Sequence, residues 1–253
     1  MNENRIAADR TDVGTPGATP LELRRPWGFW STLAWSLFAC GLGGAVSLLS
    51  WALPVNSTDL PEDPWLPLQL IVINVVQIAV LAVAARLAGW PIGRYLGLVR
   101  PRARDLVAGI AALVVVMLAL EILTYLTERG SVTPFQTDSY RAARAAGLLP
   151  VMWLAFVVAA PVGEEILFRG FVFRGWAASP LGAPGAIVLT SLIFSALHMA
   201  QYDWFGVFQT FCIGALFGWL RWHSGSTTMT ILLHMAVNLI STLWTAAKVE
   251  GLV

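Results

Sequence analysis

Charged residues are scarce in this chain of 253 residues, at 12% of the sequence, while 57% of the residues are hydrophobic. The mean hydropathy of +0.69 lies outside the balance of a soluble domain. With so few charges and a formal net charge of only +1, nothing in the composition indicates a nucleic-acid partner. The composition predicts a polytopic membrane protein in contact with the lipid bilayer.

Cysteine is also rare, and the two cysteines, Cys40 and Cys212, both lie in apolar stretches without a C-x-x-C spacing. This spacing excludes a disulfide framework and a thiolate metal site. We therefore interpret both cysteines as core residues.

Three signatures of intramembrane proteases are absent from the sequence. There is no H-E-x-x-H for a site-2 type zinc enzyme and no G-x-S-G serine with a suitably placed histidine for a rhomboid type. Every aspartate lies in a tail, a loop or the end of an apolar run, which excludes the intramembrane aspartate pair of a presenilin type.

Long apolar runs dominate the rest of the chain. A hydrocarbon core of roughly 30 Å needs about 20 helical residues to cross it, and isolated strands in lipid would leave backbone groups unpaired. The sequence therefore predicts an all-α transmembrane bundle of about seven spans. The predicted spans are residues 28–53, 66–88, 106–126, 148–173, 184–202, 205–222 and 227–247.

The distribution of basic residues predicts a cytosolic N-terminus, because cytosolic loops carry an excess of Lys and Arg. With that orientation only four basic residues lie outside, namely Arg129, Arg141, Arg144 and Lys248. The other basic residues, all arginines, lie on the inner side. We expect a multi-pass protein of a bacterial inner (plasma) membrane, since the preference for Arg over Lys suggests a GC-rich bacterial genome.

The chain divides into three predicted parts. Residues 1–27 form a flexible cytosolic tail, residues 28–147 contain the first helices and an outer loop, and residues 148–253 form the catalytic transmembrane core. Within the loop, the segment "DSYRAARAAG" is predicted to form a short amphipathic helix at the outer interface.

Ionisable groups inside an apolar span are functional candidates by default, because a charge at mid-bilayer costs roughly 2.5 to 3.5 kcal/mol. The fourth span contains "PVGEEILFRG", in which Glu165 and Arg169 are spaced i, i+4 and can pair on one helical face. Glu164 lies about 100° around the helix and is left without that partner. Pro161 and Gly163 are expected to loosen the helix and admit water beside Glu164.

Two later spans each carry a histidine. His198 follows Phe194 by one helical turn, and His234 precedes Asn238 by one turn. A single intramembrane histidine is as often a hydrogen-bonded link between helices as a functional group. Together with an unpaired carboxylate, however, two imidazoles and an amide can activate water and stabilise an oxyanion.

The segments "EEILFR", "FSALH" and "HMAVN" resemble the EExxxR, FxxxH and HxxxN motifs of the CAAX protease and bacteriocin-processing family, which includes the type II CAAX endopeptidases. The resemblance covers about residues 161 to 240, and the three motifs occur in order on separate helices. It implies an intramembrane endopeptidase, a hydrolase that cleaves a peptide or membrane-protein substrate, with CAAX-box processing among the family's activities.

The resemblance also implies roles for individual residues. Glu164 would be the general base for water, assisted by His198, while His234 and Asn238 would hold the oxyanion. Glu165 and Arg169 would shape the site, and Phe194 would pack beside it.

We expect no cofactor for this reaction, with zinc as the alternative because the family has also been described as metal-dependent. If a metal is present, its ligands would be Glu164, His198 and His234. We further expect a cleft that admits water and peptide near the cytosolic half of the bundle.

Two other classes of function remain open. The same ionisable groups suit a proton-coupled transporter, which would move a substrate without cleaving a peptide. A non-catalytic scaffold or immunity protein of the same fold is the second alternative.

Several polar residues receive a structural interpretation. Glu121 is expected to reach the membrane interface, and Asp203 is expected to cap a helix. Asn74 and Gln77 are expected to link helices, while Arg174 and Arg221 are interpreted as anchors at the inner interface.

Overall fold

The computed structural model describes residues 26–48, 63–130 and 132–253, and these form an all-α bundle without strands. Apart from its last two residues, the predicted N-terminal tail lies outside the described residues. The helices of the described part are α1 (Phe29–Ser47), α2 (Leu66–Leu87), α3 (Ile92–Tyr95), α4 (Ala103–Leu126), α5 (Pro134–Ala145), α6 (Leu149–Ala177), α7 (Gly182–Leu197), α8 (Trp204–Ser224) and α9 (Thr227–Val249).

Each of the seven predicted spans corresponds to a helix. Five of these helices, α1, α2, α4, α6 and α9, are long and apolar enough to cross a membrane. Helix α7 has 16 residues, so at 1.5 Å per residue it is about 24 Å long and shorter than the hydrocarbon core. Helices α7 and α8 are not among the five that are long and apolar enough to cross a membrane. The chain is a multi-pass membrane protein.

The lipid-facing surface is evident from apolar side chains that have no protein neighbours. Helix α4 shows this most clearly, since Val107, Val115, Leu118 and Ile122 are all more than half exposed. Such a stripe would be an aggregation hazard in water and is ordinary in lipid. Cys40 is exposed on α1 and Cys212 is half-buried, so the prediction that both are core residues is wrong, and both thiols are free.

Helix α6 runs through the middle of the bundle and changes its winding along its length. Two π-helical stretches, Leu154–Ala159 and Ile166–Val172, flank an α-helical turn at Ala160–Glu165. Pro161 has no N–H to donate to the preceding turn, which explains why regular α-helical bonding is interrupted there. The expected loosening near Pro161 is therefore present, and it takes the form of a wider helix.

Close contacts between backbones pack α6 against its neighbours. Gly163 lies against Asn74 of α2, where an added Cβ would be only 1.7 Å from the Asn74 Oδ1 atom. The Gln77 side chain donates a hydrogen bond to the Gly163 carbonyl at 3.1 Å. Both polar residues of α2 are buried, which confirms Gln77 as a link between helices and places Asn74 at the same contact.

One end of the bundle is closed and rich in arginine. It contains the connection from α2 to α4, the C-terminus of α6 and the turn between α8 and α9, which are joined by bonds such as Thr227 N–H to the Gly97 carbonyl at 2.8 Å. Arg221 is buried here, and its Nε donates to the Arg169 carbonyl and to Thr227 Oγ1, both at 3.0 Å. Arg221 thus links α8 to α6 and α9 from inside the protein, and its interpretation as an interface anchor is wrong.

The opposite end contains the C-termini of α4 and α9, helix α5 and the N-terminus of α8. Helix α5 begins with a capping box formed by Thr133 and Gln136. It is attached to α9 by a 2.7 Å hydrogen bond from Gln136 to Ser241 and by an ion pair of Arg144 with Glu250. The predicted amphipathic helix is therefore present, and it packs against α9 as part of the bundle.

Candidate active site

A cavity of about 900 Å³ occupies the end of the bundle that carries α5. Its walls come from the C-terminal halves of α4 and α9, the N-terminal halves of α6 and α8, the end of α7, and α5. The lining includes the predicted site residues Glu164, Phe194, His198, His234 and Asn238. Residues predicted on three separate helices therefore meet at one cavity of a size suited to a ligand or a peptide segment.

The two neighbouring glutamates occupy different environments. The Glu165 side chain is fully buried, whereas 28% of the Glu164 side chain is exposed to the cavity. Glu165 Oε1 accepts a hydrogen bond from Arg169 Nη1 at 2.9 Å, as the i, i+4 spacing predicts. Glu164 has no such cation beside it and is the carboxylate that a water in the cavity can reach.

Arg169 is buried and bound through both of its terminal nitrogens. Besides pairing with Glu165, it donates from Nη2 to the Gly214 carbonyl at 2.9 Å. The rings of Phe168, Phe194 and Phe217 lie within 6 Å of its guanidinium carbon, in the range of cation–π attraction. Phe194 thus packs against the buried ion pair as well as facing the cavity.

His234 connects the two glutamates. Its Nδ1 lies 3.0 Å from Glu165 Oε1, and its Nε2 lies 3.8 Å from Glu164 Oε2. Because Glu165 also pairs with Arg169 and is ionised, Nδ1 is the nitrogen that donates, and Nε2 faces Glu164. The second distance is too long for a direct hydrogen bond and short enough for one water to touch both groups.

His198 is oriented by its own helix. Its Nδ1 lies 2.8 Å from the Phe194 carbonyl. Because a carbonyl oxygen can only accept, Nδ1 carries the proton, and in the neutral ring Nε2 carries the lone pair. The C-terminus of α7 thus holds an imidazole whose free nitrogen is suited to accept a proton or to align a water.

Asn238 is anchored on one side. Its Nδ2 donates to the Phe156 carbonyl at 2.8 Å, within the first π-helical stretch of α6. A π-helical turn displaces backbone groups from regular bonding, so an amide from α9 pairing with this carbonyl locks the two helices together. This bond fixes the amide at the cavity wall one turn from His234.

Tyr202 also lines the cavity, and it was not among the site residues predicted from the sequence. Its ring stacks on the His198 ring with centroids 5.8 Å apart and an interplanar angle of 8°. Burial and the negative charge of Glu164 raise the pKa of Tyr202 to about 12, so the phenol stays protonated at neutral pH. The spacing of four residues from His198 was the available signal, although α7 has already ended there.

Glu121 also lines the cavity, from α4. It was interpreted as an interface residue, and it is exposed as well as lining the cavity. Asp203, in contrast, is a helix cap as expected, since its Oδ1 accepts from the Gly206 N–H at 2.9 Å at the start of α8.

The donor set was tested for the zinc alternative. Within the described ranges, no three His, Cys, Asp or Glu side chains are grouped closely enough to hold a metal ion. His234 already uses Nδ1 on Glu165, and Glu164, His198 and His234 do not converge on one point in this arrangement. The expectation of no cofactor, with zinc as the alternative, stays a prediction.

Residues 146–240 match the family model described as type II CAAX prenyl endopeptidase Rce1-like. This range begins just before α6 and ends within α9, and it contains all three motifs. The resemblance to the CAAX protease family is therefore confirmed over this part of the chain. No curated protein and no solved structure matches the chain.

Proposed function

We propose that the protein is an intramembrane endopeptidase that hydrolyses peptide bonds with a glutamate-activated water. The family match supports a CAAX-type endopeptidase in general terms. The observation that carries the proposal is the meeting of Glu164, His198, His234 and Asn238 at one cavity, next to a buried ion pair that fixes the geometry. Peptide hydrolysis needs a base, a polarised water and donors for an oxyanion, and these four side chains supply them.

In the proposed mechanism, Glu164 removes a proton from a water in the cavity, and the water oxygen attacks the scissile carbonyl carbon. His198 Nε2 orients that water through its lone pair. The proton held by Glu164 is then delivered to the nitrogen of the leaving amine as the C–N bond breaks. The products are a new carboxyl terminus and a new amino terminus.

The developing oxyanion is stabilised by His234 and Asn238. The Glu165 carboxylate accepts from His234 Nδ1 and so turns Nε2 toward the cavity; the mechanism uses the ring with a proton on Nε2, which donates to the oxyanion. Asn238 uses one N–H for the Phe156 carbonyl, so its second N–H is the donor assigned to the oxyanion. Glu165 and Arg169 act as positioning residues through His234.

The proposal is tested with the variant Glu164→Gln, which keeps the shape of the side chain and removes the base. Loss of a general base costs roughly 10²- to 10⁴-fold in rate. We expect termini of membrane and membrane-associated proteins that are present with the wild type to disappear in cells that express the variant at equal abundance. An unchanged set of termini would refute the assignment of Glu164 as the base.

The transporter alternative has one observation in its favour, since Glu165, His234 and Glu164 form a short chain of proton-binding groups. It predicts substrate flux in liposomes without new peptide termini. The scaffold alternative predicts that a phenotype in cells survives Glu164→Ala. A complete loss of new termini in Glu164→Gln distinguishes the protease from both.

A further inference from the structure

The two ends of the bundle differ in charge. At the closed end, the described residues include seven arginines and a single carboxylate, that of Asp105; the arginines are Arg86, Arg94, Arg100, Arg102, Arg104, Arg174 and Arg221. The N-terminus of α1 is also at this end, because Trp27 Nε1 donates to the Ala84 carbonyl near the end of α2 at 2.9 Å. In the sequence, the segment that precedes α1 carries Arg5, Arg10, Arg24 and Arg25.

At the cavity end, basic residues are fewer and are matched by acids. Each of the three arginines here forms an ion pair, Arg129 with Asp203, Arg141 with Asp138 and Arg144 with Glu250. The end also contains Asp63, Glu121, Glu128 and one lysine, Lys248.

The cavity belongs to this second end. Its lining extends to Thr133 and Tyr140 of α5, Gln201 before α8, and Ala247 near the end of α9. None of the arginines of the closed end is among the lining residues. Two expectations from the sequence conflict here. The N-terminus of α1 lies at the arginine-rich end, and the cavity lies at the opposite end. If the N-terminus is cytosolic, the cavity cannot open near the cytosolic half.

Arginine and lysine near the ends of spans favour the cytosolic side, whereas acids contribute little to orientation. Among the described residues, the seven arginines of the closed end outnumber the four basic residues of the cavity end. We infer that the closed end faces the cytosol and that the cavity opens at the extracytoplasmic face. The N-terminus is cytosolic in this orientation.

This inference rests on the proposed function for its consequence. A cavity that opens outside the cytoplasm receives a polypeptide segment that is exported or that protrudes from the outer leaflet. Among the described residues that line the cavity there are two carboxylates, Glu121 and Glu164, and no lysine or arginine. The electrostatics therefore favour a neutral or basic segment over one that ends in a free carboxylate.

The orientation is tested by labelling single cysteines with a membrane-impermeant maleimide in intact cells. Cys40 and Cys212 are first replaced by serine. Thr127→Cys and Gln201→Cys then report on the cavity end, while Val99→Cys and His223→Cys report on the closed end. None of the four positions is an arginine, a lysine or a carboxylate, so the substitutions leave the distribution of arginine and lysine unchanged, and labelling after solubilisation shows that each thiol reacts.

We expect the two cavity-end cysteines to be labelled in intact cells and the two closed-end cysteines to be labelled only after permeabilisation. The reverse pattern, or labelling of all four in intact cells, would overturn the inference. Two reporters at each end keep the result decisive if one variant fails to fold.

A second arm separates the inference from the proposed function. Vesicles of both orientations are given an impermeant mixture of quenched fluorescent peptides with apolar and basic residues, and the same mixture is added in detergent. Cleavage confined to vesicles whose cavity end faces the peptide supports the inference. Cleavage only from the closed end overturns it and leaves the protease intact, whereas no cleavage in detergent counts against the protease while the labelling still decides the orientation.

Discussion

The closed end and the cavity end of this bundle use polar groups in opposite ways. At the closed end, the buried Arg221 binds a backbone carbonyl, and Gly170 allows close contact with the Leu96 backbone. At the cavity end, amides and hydroxyls such as Gln136 and Ser241 line open space. Helices in lipid gain little from burying apolar surface, so close packing has to hold the bundle together. Because the close packing of helices is concentrated at the closed end, the other end can contain a cavity.

The strongest way to break this comparison is to remove a charge from the buried core beside the site. Arg169→Met leaves the Glu165 carboxylate buried and unpaired by a cation, which costs about 3–5 kcal/mol. We expect a corresponding loss in the free energy of unfolding in detergent micelles, measured by denaturant titration.

Arg144→Met is the matched control at the cavity end. Arg144 also forms a 2.9 Å ion pair, but its side chain is 55% exposed, and an exposed pair contributes only about 0–1 kcal/mol. Equal losses from the two substitutions would show that the buried pair and the exposed pair do not differ in stability as described.

A substitution with a smaller expected effect tests the close packing of the closed end. In Gly175→Ala, the new Cβ would lie 1.9 Å from Thr32 Oγ1 and 2.9 Å from the Trp27 carbonyl oxygen. Overpacking of this kind typically costs about 1–3 kcal/mol. Gly44→Ala in α1 is the control, because no atom lies within 4 Å of its added Cβ. A melting temperature for Gly175→Ala equal to that of the control would refute the close contact.

The smallest effect is expected at the cavity end, where the Gly206 N–H and the nearby Arg129 hold the pKa of Asp203 below its ordinary value. A lowered pKa in the folded state means that this group stabilises the protein above the ordinary pKa of aspartate, and that the contribution is lost as the pH falls through the folded pKa. Asp203→Asn keeps the cap and should flatten the acid limb of the stability profile slightly. An unchanged acid limb in thermal melts from pH 3 to pH 7 would exclude this contribution.

Hydropathy and helical spacing predicted a large part of this molecule. The long apolar runs located the helices, and the i, i+4 spacing located the Glu165–Arg169 pair and left Glu164 apart. The fourth predicted span, residues 148–173, extends past Arg169, and α6 continues to Ala177.

Other features were beyond the reach of the sequence. In a membrane protein both the core and the lipid-facing surface are apolar, so hydropathy does not distinguish the exposed Cys40 from a core residue. The burial of Arg221 depends on contacts with distant segments such as Gly97 and Thr227. Tyr202 lies beyond the end of α7, where helical periodicity no longer predicts which way a side chain points.

The central claim is that two adjacent glutamates are divided between chemistry and structure. Thermal unfolding of purified Glu164→Gln and Glu165→Gln in the same detergent tests this division without knowledge of the substrate. Glu164 lies at a partly exposed cavity wall, so its variant should unfold within about 1 kcal/mol of the wild type. Glu165 is fully buried between Arg169 and His234, so its variant should lose about 3 kcal/mol or more. Equal stability of the two variants, or a larger loss for Glu164→Gln, would contradict the account.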